Sequence, residues 1–149
     1  MADEQIVSID GSHPIRHLEQ YMGLWAIHGP FMDSALAQVQ AMNLTQHIQE
    51  AQLGATSVSP TRFYSVQDGV GVIELRGAML KYGSSLSEAP SSIELIRAVR
   101  SATRDDKVKS LVLVIDSPGG TVAGTSDLAQ AVAKAAQVKP VYSYIEDMA

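Results

Sequence analysis

The chain contains no cysteine. Disulfides, thiolate nucleophiles and cysteine-bound zinc are therefore excluded, while the compartment is left open. Positive charge is also scarce: 11 Lys and Arg stand against 16 Asp and Glu, for a net charge of −5. No basic stripe exists to neutralise phosphates, which argues against a nucleic-acid binder. No apolar run approaches the roughly 20 residues that a membrane helix needs. The acidic start Met1-Ala2-Asp3-Glu4-Gln5 lacks the apolar core of a signal peptide. The four histidines, His13, His17, His28 and His47, all fall in the first third of the chain, and none has a metal-ligand spacing such as His-Glu-x-x-His. They read as surface or packing residues, and no metal or cofactor is expected.

What is present suits a folded domain. A hydrophobic fraction of 46% and a charged fraction of 18% over 149 residues allow one core with a small appendage. Residues 1 to 17 are polar and aperiodic and read as a loose tail. Helical character follows, with Leu36, Val39 and Met42 at three-residue steps and Asp33 or Ser34 as candidate caps. Gly29-Pro30 separates this helix from an earlier turn around Tyr21, Leu24, Trp25 and Ile27. Trp25, the sole tryptophan, reads either as part of a cluster with Leu24, Ile27 and Phe31 or as an anchor onto another subunit. The small, polar stretch from Gln52 to Thr61 reads as a linker. Residues 1–61 are thus expected to be a helical N-terminal segment with its linker, and residues 62–149 a separate domain.

From residue 62 the pattern changes. Val70 to Arg76 is a strand candidate rich in β-branched residues. Ser91 or Ser92 caps a helix carrying Ile93, Ile96 and Val99 on one stripe, with Leu95 and Ala102 beside it, and Arg104-Asp105-Asp106-Lys107 closes it. Leu111 to Ile115 is a continuous apolar run, as expected of a central strand covered on both faces. A helix is expected from about Val122 to Gln137, and Pro140 opens a third strand, Val141 to Ile145. This order makes two βαβ units, an α/β fold with parallel strands and helices on both faces. In such sheets the working site lies at the carboxyl ends of the strands. The turn after Arg76, the turn Asp116 to Gly120 and the segment after Ile145 converge there.

The turn Asp116-Ser117-Pro118-Gly119-Gly120 carries the chemistry. Proline presets its φ and two glycines permit close backbone approach. A helix beginning just beyond would aim its free N–H groups at the same point, where an oxyanion could sit. The plainer reading is a tight strand-to-helix turn. Ser117 precedes a proline instead of occupying a Gly-x-Ser-x-Gly elbow, so it reads as a turn residue before a nucleophile. Asp116 reads as a strand-end carboxylate that hydrogen-bonds the turn, and Lys81 as a solvated loop residue.

Leu111 to Val122, followed by Lys139-Pro140-Val141 and Asp147-Met148-Ala149, resembles the serine peptidases related to signal peptide peptidase A. Those proteins share the fold of the Clp proteolytic subunit and the crotonases. Val72 to Met79 is similar to the family's opening strand and glycine, and the resemblance covers roughly residues 68 to 149. The N-terminal segment around Leu24-Trp25-Ala26-Ile27 resembles the phage and prophage subset, which serves as capsid maturation protease or head-assembly protein.

The resemblance implies a Clp/crotonase-like parallel sheet, incomplete at its carboxyl end. It implies a Ser-Lys peptidase in which Gly120, with Gly119, serves the oxyanion hole, and Gly77 and Ala78 pair with an extended substrate. The nucleophilic serine would follow Asp147-Met148-Ala149, with its lysine well downstream, so residues 1–149 alone are expected to be inactive. The implied partners are a protein or peptide substrate, a capsid or scaffold protein and further copies of the chain. The implied location is the host cytoplasm or the virion. Two other readings remain open: an acyl-CoA-binding crotonase-like module, with which Lys139-Pro140-Val141 is compatible, and a non-catalytic head-assembly scaffold. An uncovered third strand is further expected to leave an apolar face exposed, making the isolated chain self-associating.

Overall fold

A computed structural model of the chain describes residues 18–41, 43, 64–83 and 91–149. In chain order the elements are a 3-10 turn Leu18–Met22, strand β1 Trp25–Ile27, helix α1 Gly29–Ala41, strands β2 Ser65–Gln67 and β3 Val70–Arg76, helix α2 Ser92–Arg104, strands β4 Ser110–Asp116 and β5 Gly119–Thr121, helix α3 Thr125–Ala136 and strand β6 Val141–Ile145. The four-stranded sheet has the order β2-β3-β4-β6, and β1 and β5 form a two-stranded sheet. The expected linker lies outside the described residues, as do His13, His17 and His47.

The two βαβ units form as the sequence pattern requires. β3 and β4 pair in parallel from Val70↔Ser110 to Arg76↔Asp116, and β4 pairs in parallel with β6 from Leu111↔Val141 to Ile115↔Ile145. The sheet is not wholly parallel, because β2 pairs antiparallel with β3. Asp68 and Gly69 join them with φ of 49° and 84°. Two successive positive φ values are what a two-residue hairpin turn needs to match the twist of its strands.

Ser91 caps α2 with a complete capping box. Its Oγ accepts from Glu94 N–H at 3.2 Å, and Glu94 Oε2 accepts from Ser91 N–H at 2.8 Å. At the other end of α2, Lys139 Nζ donates to the carbonyls of Ala102 and Asp105 at 3.2 and 2.7 Å. A cation there satisfies carbonyls left open by the last turn and opposes the dipole. Lys139 therefore ties the start of β6 to the end of α2.

The core corrects the expectation of helices on both faces. Ile73 and Leu111 from the sheet, Leu95, Ala98, Val99 and Ala102 from α2, and Ala131 and Ala135 from α3 share one buried cluster. Both helices thus cover one face. β3, β4 and β6 are laid down in consecutive order, so both crossovers pass over the same side. The buried stripe of α2 is centred on Leu95 and Val99, while Ile93 and Ile96 are only half-buried. Strand residues of opposite parity point away from the helices. Val112 and Val114 are half-buried there, and Tyr142 and Tyr144 are 62% and 60% exposed.

The N-terminal region also departs from expectation. Trp25–Ile27 is a strand, not a turn. α1 begins at Gly29 with Pro30 in its first turn, so Asp33 and Ser34 lie inside the helix and do not cap it. Proline suits a first turn because its missing N–H has no helical partner to lose. Trp25 packs against Tyr21, with ring centroids 6.3 Å apart, and its Nε1 donates to the Tyr21 carbonyl at 3.2 Å. Leu24 is 79% exposed and joins no buried cluster among the described residues.

Ile73 is fully buried, so Ile73→Ala is expected to lower unfolding free energy by ~2–5 kcal/mol. Val138→Ala, at a 67% exposed position, is expected to stay within about 0.5 kcal/mol. Urea denaturation of both variants measures the contrast. Sedimentation is expected to show self-association of the wild-type chain that Tyr142→Lys with Tyr144→Lys reduces; unchanged sedimentation would remove the exposed tyrosine face as its cause.

Candidate active site

Three chain segments meet at the carboxyl edge of the parallel sheet. β3 runs out at Arg76, and Gly77 turns with φ of 80°. Its N–H donates to the Asp116 carbonyl at 2.8 Å. β4 runs out at Asp116, and the buried Ser117 ties both neighbours down. Its N–H donates to the Met148 carbonyl at 2.9 Å, and its Oγ donates to the Gly77 carbonyl at 2.8 Å. The same Oγ accepts from Gly119 N–H at 3.2 Å. Ser117 is 6% exposed. Its hydroxyl is therefore a structural link between turns, in line with the reading of a turn residue.

Residues 146–148, after β6, join this edge. Glu146 N–H donates to the Ile115 carbonyl at 2.9 Å. Arg76 forms a two-pronged ion pair with Glu146, Nη2 reaching Oε1 at 3.0 Å and Nη1 bonding Oε2, and its Nε reaches Glu74 at 3.3 Å. The hydrogen bond to Glu146, followed by that to Glu74, raises the guanidinium's already high pKa further. The pair is exposed, so its main effect is to fix geometry.

The glycine doublet does not lead directly into a helix. Gly119 to Thr121 is the short strand β5, and α3 starts only at Thr125 after Gly124, whose φ is 89°. The expected start near Val122, and with it a helix N-terminus aimed at the glycines, is corrected. β5 instead runs between two backbones. On one side lies Met79, which donates to the Gly119 carbonyl and accepts from Thr121 N–H, both at 2.9 Å. On the other lies β1, antiparallel, with Ala26 opposite Gly120. His28 N–H donates to the Pro118 carbonyl at 2.8 Å, and Val122 N–H donates to the Leu24 carbonyl at 2.9 Å. That alternation makes Ala26 and Gly120 the hydrogen-bonded pair between them. Gly120 N–H therefore donates to the Ala26 carbonyl.

Neither glycine has room for a side chain. A Cβ on Gly120 would stand 2.0 Å from the Met79 carbonyl oxygen, and one on Gly119 would stand 2.1 Å from the Ala26 carbonyl oxygen. Gly119 also has φ of 104°, a region that other residues rarely enter.

Of the residues singled out from sequence, Gly77, Gly119 and Gly120 come together at one edge. Gly77 has its N–H and its carbonyl bonded to the Asp116-Ser117 turn. Ala78, half-buried, leads into Met79. Lys81, two residues after Met79, has its Nζ 5.4 Å from the Tyr82 ring centre. Among the described residues no cluster of histidine and carboxylate side chains could hold a metal, and no helix is long and apolar enough to cross a membrane. Sequence reasoning named Ala26, Met79 and Met148 only within longer motifs and missed their roles at this edge. All three act through backbone groups, which leave no signature in side-chain type.

Gly120→Ala is expected to destabilise the fold by more than ~1–3 kcal/mol, because overpacking here meets backbone and not a flexible side chain. Gly29→Ala, with nothing within 4 Å, is expected to be near neutral. Ser117→Ala is expected to cost ~1–3 kcal/mol by orphaning the Gly119 amide. Chemical denaturation of the three variants checks the order.

No family model matches the chain. It is 31% identical over 90 residues to the capsid assembly protease C of Escherichia phage lambda, an alignment covering 58% of the chain and 20% of that protein. It is 30% identical over 93 residues to the head-tail preconnector protein GP5 of Enterobacteria phage P21, covering 60% and 19%. A protein of Methanocaldococcus jannaschii, provisionally named as a protease, is 44% identical over 45 residues, covering 30% of the chain and 14% of that protein. The chain spans about a fifth of the length of the two phage relatives, and it is similar to proteins of phage capsid assembly and head-tail connection.

Proposed function

We propose that residues 68–149 supply the carbonyl-binding half of a phage head-assembly serine peptidase of the signal peptide peptidase A type, with a Clp/crotonase-like fold. The observation that carries this reading is the pairing of Gly120 N–H with a peptide carbonyl, that of Ala26, on an extended antiparallel strand. A donor placed to receive a substrate carbonyl is also placed to hold the oxyanion that the carbonyl becomes. One such donor is worth roughly 3 kcal/mol in the transition state. Gly120 is the donor in this proposal. Gly119, whose amide is engaged by Ser117 Oγ, acts by leaving space for the carbonyl.

The bond from Ser117 N–H to the Met148 carbonyl supports the rest. It holds Met148 at Ser117, three residues before the donor, and a serine next in the chain is proposed to reach the same edge. The proposed nucleophile is that serine. A lysine further along the polypeptide, kept neutral by burial, is its proposed base. Gly77-Ala78, expected to pair with the substrate, leads into Met79 on the side of β5 away from β1, and in this proposal it backs the donor strand. Residues 1–61 are proposed as a segment apart from the peptidase domain, although β1 crosses to pair with it. The capsid protease and preconnector names of the relatives support a capsid or scaffold protein as the substrate or partner. Action in the host cell or the virion, in an oligomer, belongs to the same proposal.

The test is peptide hydrolysis. Residues 1–149 alone are expected to release no product from a casein or capsid-protein substrate. A polypeptide continuing past Ala149 is expected to cleave it, and replacing the serine after Ala149 with alanine is expected to abolish cleavage. Activity that survives loss of that serine, or a longer chain that folds and stays inert, would overturn the proposal.

A further inference from the structure

The strand that occupies Gly120 is weakly held. β1 has three residues, and no residue of α1, immediately after it, is fully buried, only Met32 and Ala35 being half-buried. Met22 and Leu24, on its other flank, are 86% and 79% exposed. Among the described residues, the ladder to β5 attaches it, reinforced by Gln20 Oε1, which accepts from Tyr82 N–H at 3.0 Å. Segments with few buried apolar contacts and edge hydrogen bonds open far more readily than the core.

β5 differs in this respect. Its other side is bonded to Met79, which follows the core strand β3. If β1 left, β5 would keep its place. The Pro118 carbonyl, both backbone groups of Gly120 and the Val122 N–H would then face an open edge. Such a row of donors and acceptors binds an extended peptide by strand addition.

We propose that Leu24–His28 is an internal occupying strand: it fills the β5 edge in the manner of a substrate, and the site accepts another extended peptide only once it withdraws. The inference rests on the reading of Gly120 as the carbonyl-binding donor and adds a regulator to it. Being tethered, the strand competes at an effective concentration on the order of millimolar, enough to exclude weak peptides and to yield to a well-matched or locally concentrated one.

The test measures binding, not hydrolysis. The probe is acetyl-Leu-Phe-Ala-Ile-His-amide, a copy of the occupying strand that lacks tryptophan. Ala26→Pro removes the donor to the Gly120 carbonyl, and His28→Pro removes the donor to the Pro118 carbonyl. Each variant is expected to speed hydrogen exchange of the Gly120 amide at least tenfold and to bind a fluorescently labelled form of the peptide at least tenfold more tightly than the wild type. In the wild type, peptide at several times the ~1 mM effective concentration is expected to shift Trp25 emission to the red as the strand is expelled.

Unchanged exchange and unchanged affinity in a variant that keeps its far-UV spectrum would overturn the proposal. So would variants that lose their fold together with a wild type whose Trp25 emission ignores the peptide. Tighter binding without hydrolysis by the longer polypeptide leaves the occupying strand and removes the peptidase reading. Hydrolysis with unaltered peptide affinity does the reverse.

Discussion

The arrangement at the sheet edge depends on backbone contact at Gly120, where three chains of peptide groups lie side by side with no side chain between them. Met79 stands on one side of β5 and Ala26 on the other. The 2.0 and 2.1 Å distances that a Cβ would meet at Gly120 and Gly119 show how little space separates them. Only a Gly-Gly doublet lets a carbonyl approach this closely, and the preceding Pro118 fixes the entry of the chain. The anchoring is done elsewhere, by the buried Ser117 that links the Gly77 turn, the glycine turn and Met148.

Behind this edge, the fold serves as a frame. The parallel register from Arg76↔Asp116 to Ile115↔Ile145 brings three strand ends to one level. The single helical layer of α2 and α3 holds them there from one face, through Ile73, Leu95, Val99 and Leu111. Lys139 and the Arg76–Glu146 pair set the entry to and exit from β6. The frame is tightly bonded at Ser117 and slight where β1 lies, a division that matches the fixed donor and exchangeable carbonyl proposed for Gly120 and β1.

Much of this was legible in the amino-acid order. Val70 to Arg76 and Leu111 to Ile115 are strands because β-branched and apolar runs bounded by turn residues have few alternatives. Ser91 or Ser92 is the expected cap of α2, and Ser91 is the one that caps it, with Glu94 closing the capping box. The Asp68-Gly69 hairpin also had its signal, an Asp-Gly pair before a β-branched run, but the short and exposed β2 beside it lacked apolar alternation to mark it. Other features had no local cause to read. The helices share one face because of strand order, a property of the whole chain. The three-residue strands β1 and β5 exist through mutual pairing, not through propensity. Proline at position 30 looked like a break, yet it opens α1, because a first turn and an interior turn place opposite demands on the same ring.

The most direct measurement is the scalar coupling across the hydrogen bond between the Gly120 amide nitrogen and the Ala26 carbonyl carbon, in uniformly labelled protein by nuclear magnetic resonance. The account expects a resolved coupling between these two nuclei. A Gly120 amide coupled to a different carbonyl, or freely exchanging with water, would contradict the view that this amide is a donor built to receive the carbonyl of an extended peptide.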